Sequence, residues 1–180
     1  MGSEMCIRDR FKDFSSNLLI PDRIWVDTAH VIAMYCKEPV LSNIFYALKL
    51  RSNEDNEERL KALCIWLNTT WGILSILANR SETRGRWIRL KMTHWRLQPV
   101  LDVTKLDKDK VKALASILDR YGGKGMRRLP DQFDPNCIDV VRKSIDHEFL
   151  RVFGLEVSKG DLMELYRLVY EGLNKWTGEE

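Results

Sequence analysis

A run of basic residues between Asn79 and Gln98 is the feature of the sequence that most directly indicates a kind of ligand. Its cations include five candidates for contact with a nucleic-acid backbone: Arg80, Arg84, Arg86, Arg89 and Lys91. Arginine and lysine neutralise phosphates, and arginine also forms paired hydrogen bonds with guanine edges in the major groove. Glu82 is the only acid from Arg80 to Arg96. The run therefore predicts a DNA-contacting segment, with a solvated loop between a buried helix and a strand as the alternative.

Patterns typical of an enzyme active site are missing from the sequence. It contains no G-x-G-x-x-G, P-loop, G-x-S-x-G or H-E-x-x-H motif. Its three histidines lie far apart, and none of its four cysteines has the spacing of a zinc site. Asp134-Pro135-Asn136-Cys137 begins like the loop with which amino-group methyltransferases hold a flipped base, but it lacks the stacking aromatic residue. We expect no catalytic residue, no metal and no cofactor in this chain.

Composition and charge are those of a soluble, mildly basic domain. The chain has 180 residues, is 44% hydrophobic and 31% charged, and carries a net charge of +3. Its longest apolar stretch, residues 62–78, is interrupted by polar side chains and is shorter than a membrane-spanning helix requires. We expect a cytoplasmic protein with reduced cysteines and no membrane partner. Residues 1–10 (MGSEMCIRDR) resemble translated sequencing adapter, and we expect this leader to be non-native.

The elements that must position the basic run divide the sequence into a β-rich first part and a helical second part. Short β-branched and aromatic runs punctuated by Pro, Ser and Asn predict strands at 17–20, 24–26, 31–36, 40–41 and 45–50. Apolar residues at helical spacing from Leu60 to Leu77 predict a helix that is buried nearly all round. We expect an α+β fold in which a small, mostly antiparallel sheet packs on this central helix.

Three amphipathic helices are predicted after Thr104, following an extended segment at Pro99–Val103. The first runs from about Asp107 to Tyr121, is capped by Thr104 with Asp107, and stops at Gly122-Gly123. The second begins with Asp134 as N-cap and Pro135 in the first helical position and ends at Gly154. The third begins at Ser158, with Asp161 completing a capping box, and ends near Trp176. The expected organisation is an α+β domain over residues 11–103 with a helical tail, residues 104–180, packed on it.

A polar triplet, Asn68-Thr69-Thr70, interrupts the apolar pattern of the central helix. Buried polar side chains are normally hydrogen-bonded, and these three residues sit among apolar neighbours. We therefore expect them to bond to the sheet or to the following loop, and not to contact DNA.

Several segments, in order along the chain, resemble a family of restriction-modification enzymes. They are Asp27–Ala33 with Glu38–Asn43, Leu63–Gly72, Asn79-Arg80 with Glu82–Gly85 and Trp87, and Leu97–Val103. These segments are similar to the carboxy-terminal region of bacterial and archaeal adenine-specific DNA methylases. The layout also resembles target-recognition domains of type I restriction specificity subunits. The resemblance covers roughly residues 18–155.

What the resemblance implies is a module that reads DNA beside a catalytic domain. In the parent enzyme, the other domain binds S-adenosylmethionine and flips an adenine. This chain lacks both motifs of that domain, so we do not expect it to methylate DNA alone. The expected partners are double-stranded DNA and the missing methyltransferase domain. The alternative is a protein-protein assembly module of a restriction-modification or phage-defence complex, which the helical tail and the modest net charge would suit.

Overall fold

The computed structural model describes Phe11 and residues 13–51, 56–79 and 87–177, with side chains as far as Asn174. Two small antiparallel sheets form in this part of the chain. The first has three strands: β1 (Ser16–Pro21) lies between β3 (Met34–Val40) and β4 (Phe45–Leu48). The second is a two-stranded ribbon of β2 (Arg23–Trp25) and β5 (Trp87–Arg89). The predicted small antiparallel sheet is confirmed, whereas β5 was not predicted.

Strand β3 begins three residues later than the sequence pattern predicts. The amide oxygen of Asn68 accepts hydrogen bonds from the backbone N–H groups of Ile32 and Ala33, at 2.8 and 3.3 Å. These backbone donors are therefore satisfied by a helix side chain and not by a neighbouring strand. The predicted strand over 31–36 is wrong at its start. The pattern of neighbouring residues does not reveal Asn68, which binds this part of the backbone and lies about 35 positions away in the sequence.

Helices account for most of the remaining described residues. They are α1 (Glu57–Asn68), α2 (Thr70–Ala78), α3 (Met92–Leu97), α4 (Lys108–Tyr121), α5 (Val140–Val152) and α6 (Lys159–Thr177), with a 3₁₀ turn at Pro130–Phe133. The predicted α+β class with a helical C-terminal part is confirmed. The predicted extended segment at Pro99–Val103 belongs to no strand, and the short helix α3 was not predicted.

The predicted central helix is in fact two helices, bent by 69° at Thr69. Thr69 has extended backbone angles (φ −72°, ψ 161°), and its hydroxyl donates to the carbonyl of Trp66 at 2.7 Å. The same oxygen accepts from the N–H of Gly72 at 3.2 Å, so Thr69 caps the start of α2. The prediction of one continuous helix was wrong because Thr69 satisfies the backbone groups that the break leaves open.

The start of α5 and the capping residue of α4 differ from the prediction. Helix α5 begins at Val140, and its N-cap is Asp139, whose carboxylate accepts from the N–H groups of Val141 and Arg142. Asp134, the predicted cap, instead accepts from the N–H of Asn136 within a turn, at 2.9 Å. Helix α4 is capped by Asp107 and not by Thr104.

Several predicted helix boundaries match the structure closely, including the end of α4 at Tyr121, the start of α6 and the end of α5. At the start of α6, the Ser158 hydroxyl accepts from the N–H of Asp161 at 3.0 Å, and the two side chains also bond to each other. At the end of α5, Gly154 has a φ of 64°, which a residue without a Cβ adopts without strain. The N–H groups of Gly154 and Leu155 bond back to the last turn of the helix.

A single apolar core joins the β-rich part to the helical part. Leu18, Leu67, Ile73, Leu114 and Leu173 are each less than 2% exposed and belong to one connected cluster. Trp66 and Trp71 of α1 and α2 pack on Phe149 of α5, with ring centroids 5.6 and 5.9 Å apart. Residues 11–103 and 104–174 therefore share their core.

Among the described helices, none is by itself long and apolar enough to cross a membrane. Helices α1 and α2 reach that length and composition only together, and most of their residues are buried in the core.

Candidate nucleic-acid interface

The β2–β5 ribbon has one apolar face and one exposed face. Ile24 and Ile88 lie opposite each other, are each 4% exposed, and belong to the core. Side chains alternate between the faces of a strand, so the flanking residues point outward. These are Arg23 opposite Arg89, and Trp25 opposite Trp87. We call these four side chains the basic ribbon face.

The rings of Trp25 and Trp87 pack against each other at one end of the basic ribbon face. Their rings meet edge to face, with centroids 4.5 Å apart and an interplanar angle of 87°. The Trp25 indole N–H donates to the carboxylate of Asp27 at 3.1 Å, which holds that ring in place. Trp87 remains 41% exposed. The face thus presents a large, rigid aromatic surface beside its arginines.

The arginines lie directly opposite each other across the ribbon. Like charges in cross-strand positions repel each other and destabilise the pair. Arg23 has a neighbouring carboxylate, Asp22, at 3.4 Å, whereas Arg89 has no acidic partner among the described residues. An anion placed between the two guanidinium groups would relieve this repulsion. The electrostatics of the face therefore favour binding of a negatively charged molecule.

Lys91 extends the exposed charge beyond the ribbon. Burial alternates from Trp87 to Lys91, because Ile88 and Leu90 are buried and the residues between them are exposed. Lys91 precedes helix α3, on which Arg96 is also exposed. The indole N–H of Trp95 donates to the carbonyl of Pro21 at 3.1 Å and so fixes α3 to the end of β1.

The predicted DNA-contacting residues are thus described only in part. Arg89 and Lys91 lie on or beside the ribbon, exposed to solvent. Arg80, Arg84 and Arg86 lie outside the described residues. Arg23 was not among the sequence candidates, because it lies 66 positions before Arg89 in the sequence and only strand pairing brings the two residues opposite each other.

Asn68 forms hydrogen bonds inside the fold. Besides accepting from Ile32 and Ala33, its amide N–H₂ donates to the carbonyls of Ala33 at 2.8 Å and Cys64 at 3.0 Å. The residue is 5% exposed. Its side chain therefore joins the end of α1 to the segment that leads into β3.

Thr70 bonds to helix α5, and not to the sheet or the following loop. Its N–H and its hydroxyl donate to the two carboxylate oxygens of Asp146, at 2.9 and 2.5 Å. The hydroxyl of Tyr166 on α6 also donates to Asp146, at 2.9 Å. Thr70, Asp146 and Tyr166 are all fully buried. The carboxylate therefore connects three helices around the α1–α2 bend.

Arg142, one turn before Asp146, completes this buried network. Its guanidinium donates to the side-chain oxygen of Gln132 at 2.7 and 3.1 Å and to the carbonyl of Asn68. Its Nη1 lies 4.0 Å from a carboxylate oxygen of Asp146. Burial lowers the pKa of Arg142 and raises the pKa of Asp146, while their opposite charges act against both shifts.

The arrangement of this network is structural. Both charged side chains are fully buried, so neither can reach a ligand in solvent. The roles of Gln132, Arg142, Asp146 and Tyr166 were not predicted from the sequence. A usable signal was the position of Arg142 and Asp146, four residues apart and directly beside apolar positions such as Ile145.

The described part of the chain contains no group of three or more His, Cys, Asp or Glu side chains that could hold a metal ion. Cys36, Cys64 and Cys137 are free thiols, and burial raises the pKa of Cys64 to about 12. The His30 ring bonds to the backbone carbonyl of Met126 at 2.7 Å.

Comparisons of the chain with protein-family models, curated proteins and solved structures find no significant match.

Proposed function

We propose that this chain is the DNA-recognition part of an adenine-specific DNA methyltransferase and that its basic ribbon face contacts duplex DNA. The observation that carries the proposed DNA contact is the cross-strand pair of Arg23 and Arg89 beside the exposed Trp87, and the link to a methyltransferase rests on the sequence resemblance. Further support comes from Lys91 next to the ribbon and from the arginine-rich sequence that leads directly into β5.

A two-stranded ribbon is a suitable shape for this task. The major groove of B-DNA is about 12 Å wide and admits either an α-helix or a two-stranded ribbon. Arg23 and Arg89 would neutralise phosphates or form paired hydrogen bonds with guanine. Sequence preference would come from whichever of the ribbon side chains reaches base edges. The arginines at 80, 84 and 86 would add charge from the preceding segment.

The chemistry itself would belong to another domain. In this proposal, a methyltransferase domain outside this chain binds S-adenosylmethionine and transfers the methyl group to a flipped adenine. The present chain would supply the sequence readout and no catalytic group. Its place of action would be the cytoplasm, where bacterial and archaeal DNA is accessible.

An assembly module is the second candidate, favoured by exposed apolar side chains. Leu97 is 79% exposed at the end of α3, and Val140 is 77% exposed at the start of α5. Leu155 and Leu168 in the C-terminal part are also more than half exposed. Under this proposal, the helical part would bind another subunit and the basic ribbon face would have no role. The two candidates differ in whether loss of the ribbon charges changes DNA affinity.

The proposal is tested by measuring how duplex DNA binding depends on salt. The full chain is titrated against a random-sequence duplex at several salt concentrations, beside an Arg23→Ala/Arg89→Ala variant. Each phosphate contact contributes a slope of about 0.9 to the plot of log affinity against log salt. We expect the variant to bind more weakly and its slope to be shallower by about one to two. An Arg80→Ala/Arg84→Ala/Arg86→Ala variant tests the preceding segment in the same way.

The matched control removes the same charge from another surface. Lys112 on α4 and Arg151 on α5 are both exposed, so Lys112→Ala/Arg151→Ala keeps the net charge of the ribbon variant. We expect this control to retain nearly the affinity and slope of the unmodified chain. A folded chain that does not bind duplex DNA even at low salt would overturn the proposal. Equal losses in both double variants would contradict the assignment to the ribbon.

A further inference from the structure

An open cleft of about 610 Å³ lies where helix α5 meets the start of α6. Three basic side chains line it: Lys143 and His147 from α5, and Lys159 from the first position of α6. Lys143 and His147 are four residues apart, so they occupy the same face of α5. None of the three belongs to the basic ribbon face.

These basic groups lack acidic partners. No ion pair or side-chain hydrogen bond joins Lys143, His147 or Lys159 to any other residue in the described ranges. By contrast, Lys61 forms ion pairs with Glu57 and Asp119 at 2.7 and 2.8 Å. The cleft therefore gathers positive charge that the fold itself does not neutralise.

The carboxylates around the cleft are already engaged by other groups. Glu148, which lines it, accepts from the Tyr121 hydroxyl at 2.7 Å and from Arg120 at 3.0 Å. Asp161 bonds to the Ser158 hydroxyl at 2.7 Å. Asp134 accepts from the backbone of Asn136. Within the described residues, only Glu148 of these three carboxylates pairs with a cation, chiefly Arg120, and none of the three forms an ion pair with Lys143 or Lys159, so both lysines can bind an anion from solution.

The rest of the lining is apolar. Pro135, Ile138, Val140 and Met163 form this part of the wall, beside the ring of Tyr121. Val140 is 77% exposed, so this wall of the cleft is open to solvent. A ligand that covers this wall would need an apolar portion next to its charge.

We propose that this cleft binds a small organic phosphate, whose phosphate group lies between Lys143 and Lys159 and whose apolar part covers Ile138, Val140 and Met163. A phosphate monoester carries a charge of about −1.5 to −2 at pH 7, which matches two lysines better than a carboxylate does. Ligand pockets commonly have about 300–1,000 Å³, so the cleft is large enough for both portions. The site is independent of the basic ribbon face and of the function proposed for it.

The test uses the full chain and three probes that represent parts of the proposed ligand. Phenol has only the apolar portion, inorganic phosphate has only the charged portion, and phenyl phosphate has both portions. Binding is followed by isothermal titration calorimetry and by amide chemical shifts in NMR spectra. We expect phenyl phosphate to bind best, with a Kd on the order of 1 mM or below. Phenol and inorganic phosphate should each bind at least about tenfold more weakly.

The decisive variant is Lys143→Gln/Lys159→Gln, with Lys108→Gln/Lys112→Gln on α4 as the control of equal charge. The cleft variant should lose phenyl phosphate binding by about tenfold or more, whereas the control should keep it. Both variants replace side chains outside the core, and an unchanged urea midpoint shows that the fold is intact. A single Val140→Ser variant tests the apolar wall and should weaken phenyl phosphate more than inorganic phosphate.

Three results would overturn the proposal. The first is equal binding of phenyl phosphate by the cleft variant and the control. The second is equal affinity for inorganic phosphate and phenyl phosphate, which would remove the apolar portion of the ligand. The third is a loss of duplex DNA affinity in the cleft variant as large as that in Arg23→Ala/Arg89→Ala. That result would make the cleft part of a DNA surface, and not a small-molecule site.

Discussion

Replacing Arg142 with Met is expected to lower the free energy of unfolding by about 3–5 kcal/mol, because it removes one partner of a buried ion pair. The Met side chain occupies nearly the same volume as the aliphatic part of the arginine side chain. It carries no charge, so the Asp146 carboxylate remains fully buried without its cation. The variant also leaves the side-chain oxygen of Gln132 and the carbonyl of Asn68 without their guanidinium donor.

The loss in the Arg142→Met variant should grow with pH. Burial already raises the Asp146 pKa above its ordinary value of 3.8, and the charge of Arg142 opposes that rise. Without Arg142, the folded-state pKa of Asp146 rises further. Below pH 3.8 the carboxyl is protonated in both folded and unfolded chains, so its ionisation costs the folded state nothing. As the pH rises through the folded-state pKa, stability is lost, because the unfolded chain has already released that proton.

Urea unfolding of the two proteins at pH 4 and pH 7 measures this difference. Arg151→Met is the control on the same helix, since the Arg151 side chain is 76% exposed and its change should cost less than about 0.5 kcal/mol. A difference between Arg142→Met and the unmodified chain that is below 1 kcal/mol, or that shrinks from pH 4 to pH 7, would contradict the role given to the pair.

Replacing Gly72 with Ala is expected to destabilise the fold by about 3 kcal/mol, the upper part of the range for overpacking. A Cβ at this position would overlap the carbonyl oxygen of Trp66 and stand 3.0 Å from the Cα of Leu67. Both neighbours are backbone atoms of α1, so neither can move aside as a flexible side chain would. The extra methyl would force the 69° bend at Thr69 to open and disturb the cap of α2.

Gly172→Ala gives a control with the same chemical change. Gly172 lies inside α6, and a Cβ there would meet no atom within 4 Å. Alanine should stabilise this helix by about 0.4–1 kcal/mol, because it restricts the unfolded chain and favours helical angles. Opposite signs for the two substitutions in thermal unfolding would locate the effect in the bend. A Gly72→Ala protein as stable as the unmodified chain would show that the bend tolerates a side chain.

Local patterns in the sequence predicted the features that depend on near neighbours. The period of apolar residues located α4 and α6, and the Ser158–Asp161 pair marked the start of α6, because a cap is formed by residues three positions apart. The α+β class followed from the change between strand-like and helix-like segments. These inferences needed no information about distant contacts.

The features that escaped prediction depend on partners far apart in sequence. The break at Thr69 lies inside an apolar stretch in which the helical spacing of apolar residues continues on both sides of Thr69. The adjacent Thr70 forms a hydrogen bond with Asp146, 76 positions away. The late start of β3 follows from the amide of Asn68, 35 positions beyond Ala33. The opposition of Arg23 and Arg89 likewise requires the pairing of strands that one sequence does not specify. Of the candidate interface, only the cations near β5 could therefore be predicted.

The buried network also sets an order for how the chain can fold during synthesis. Thr70 leaves the ribosome well before Asp146 and Tyr166, which share its hydrogen bonds. At about 5–20 residues per second, the interval is on the order of ten seconds. Until α5 emerges, Thr70 lacks the Asp146 carboxylate, and until α6 emerges, that carboxylate lacks the hydroxyl of Tyr166. The buried polar contacts at the α1–α2 bend are therefore completed only after the helical part of the chain has been synthesised.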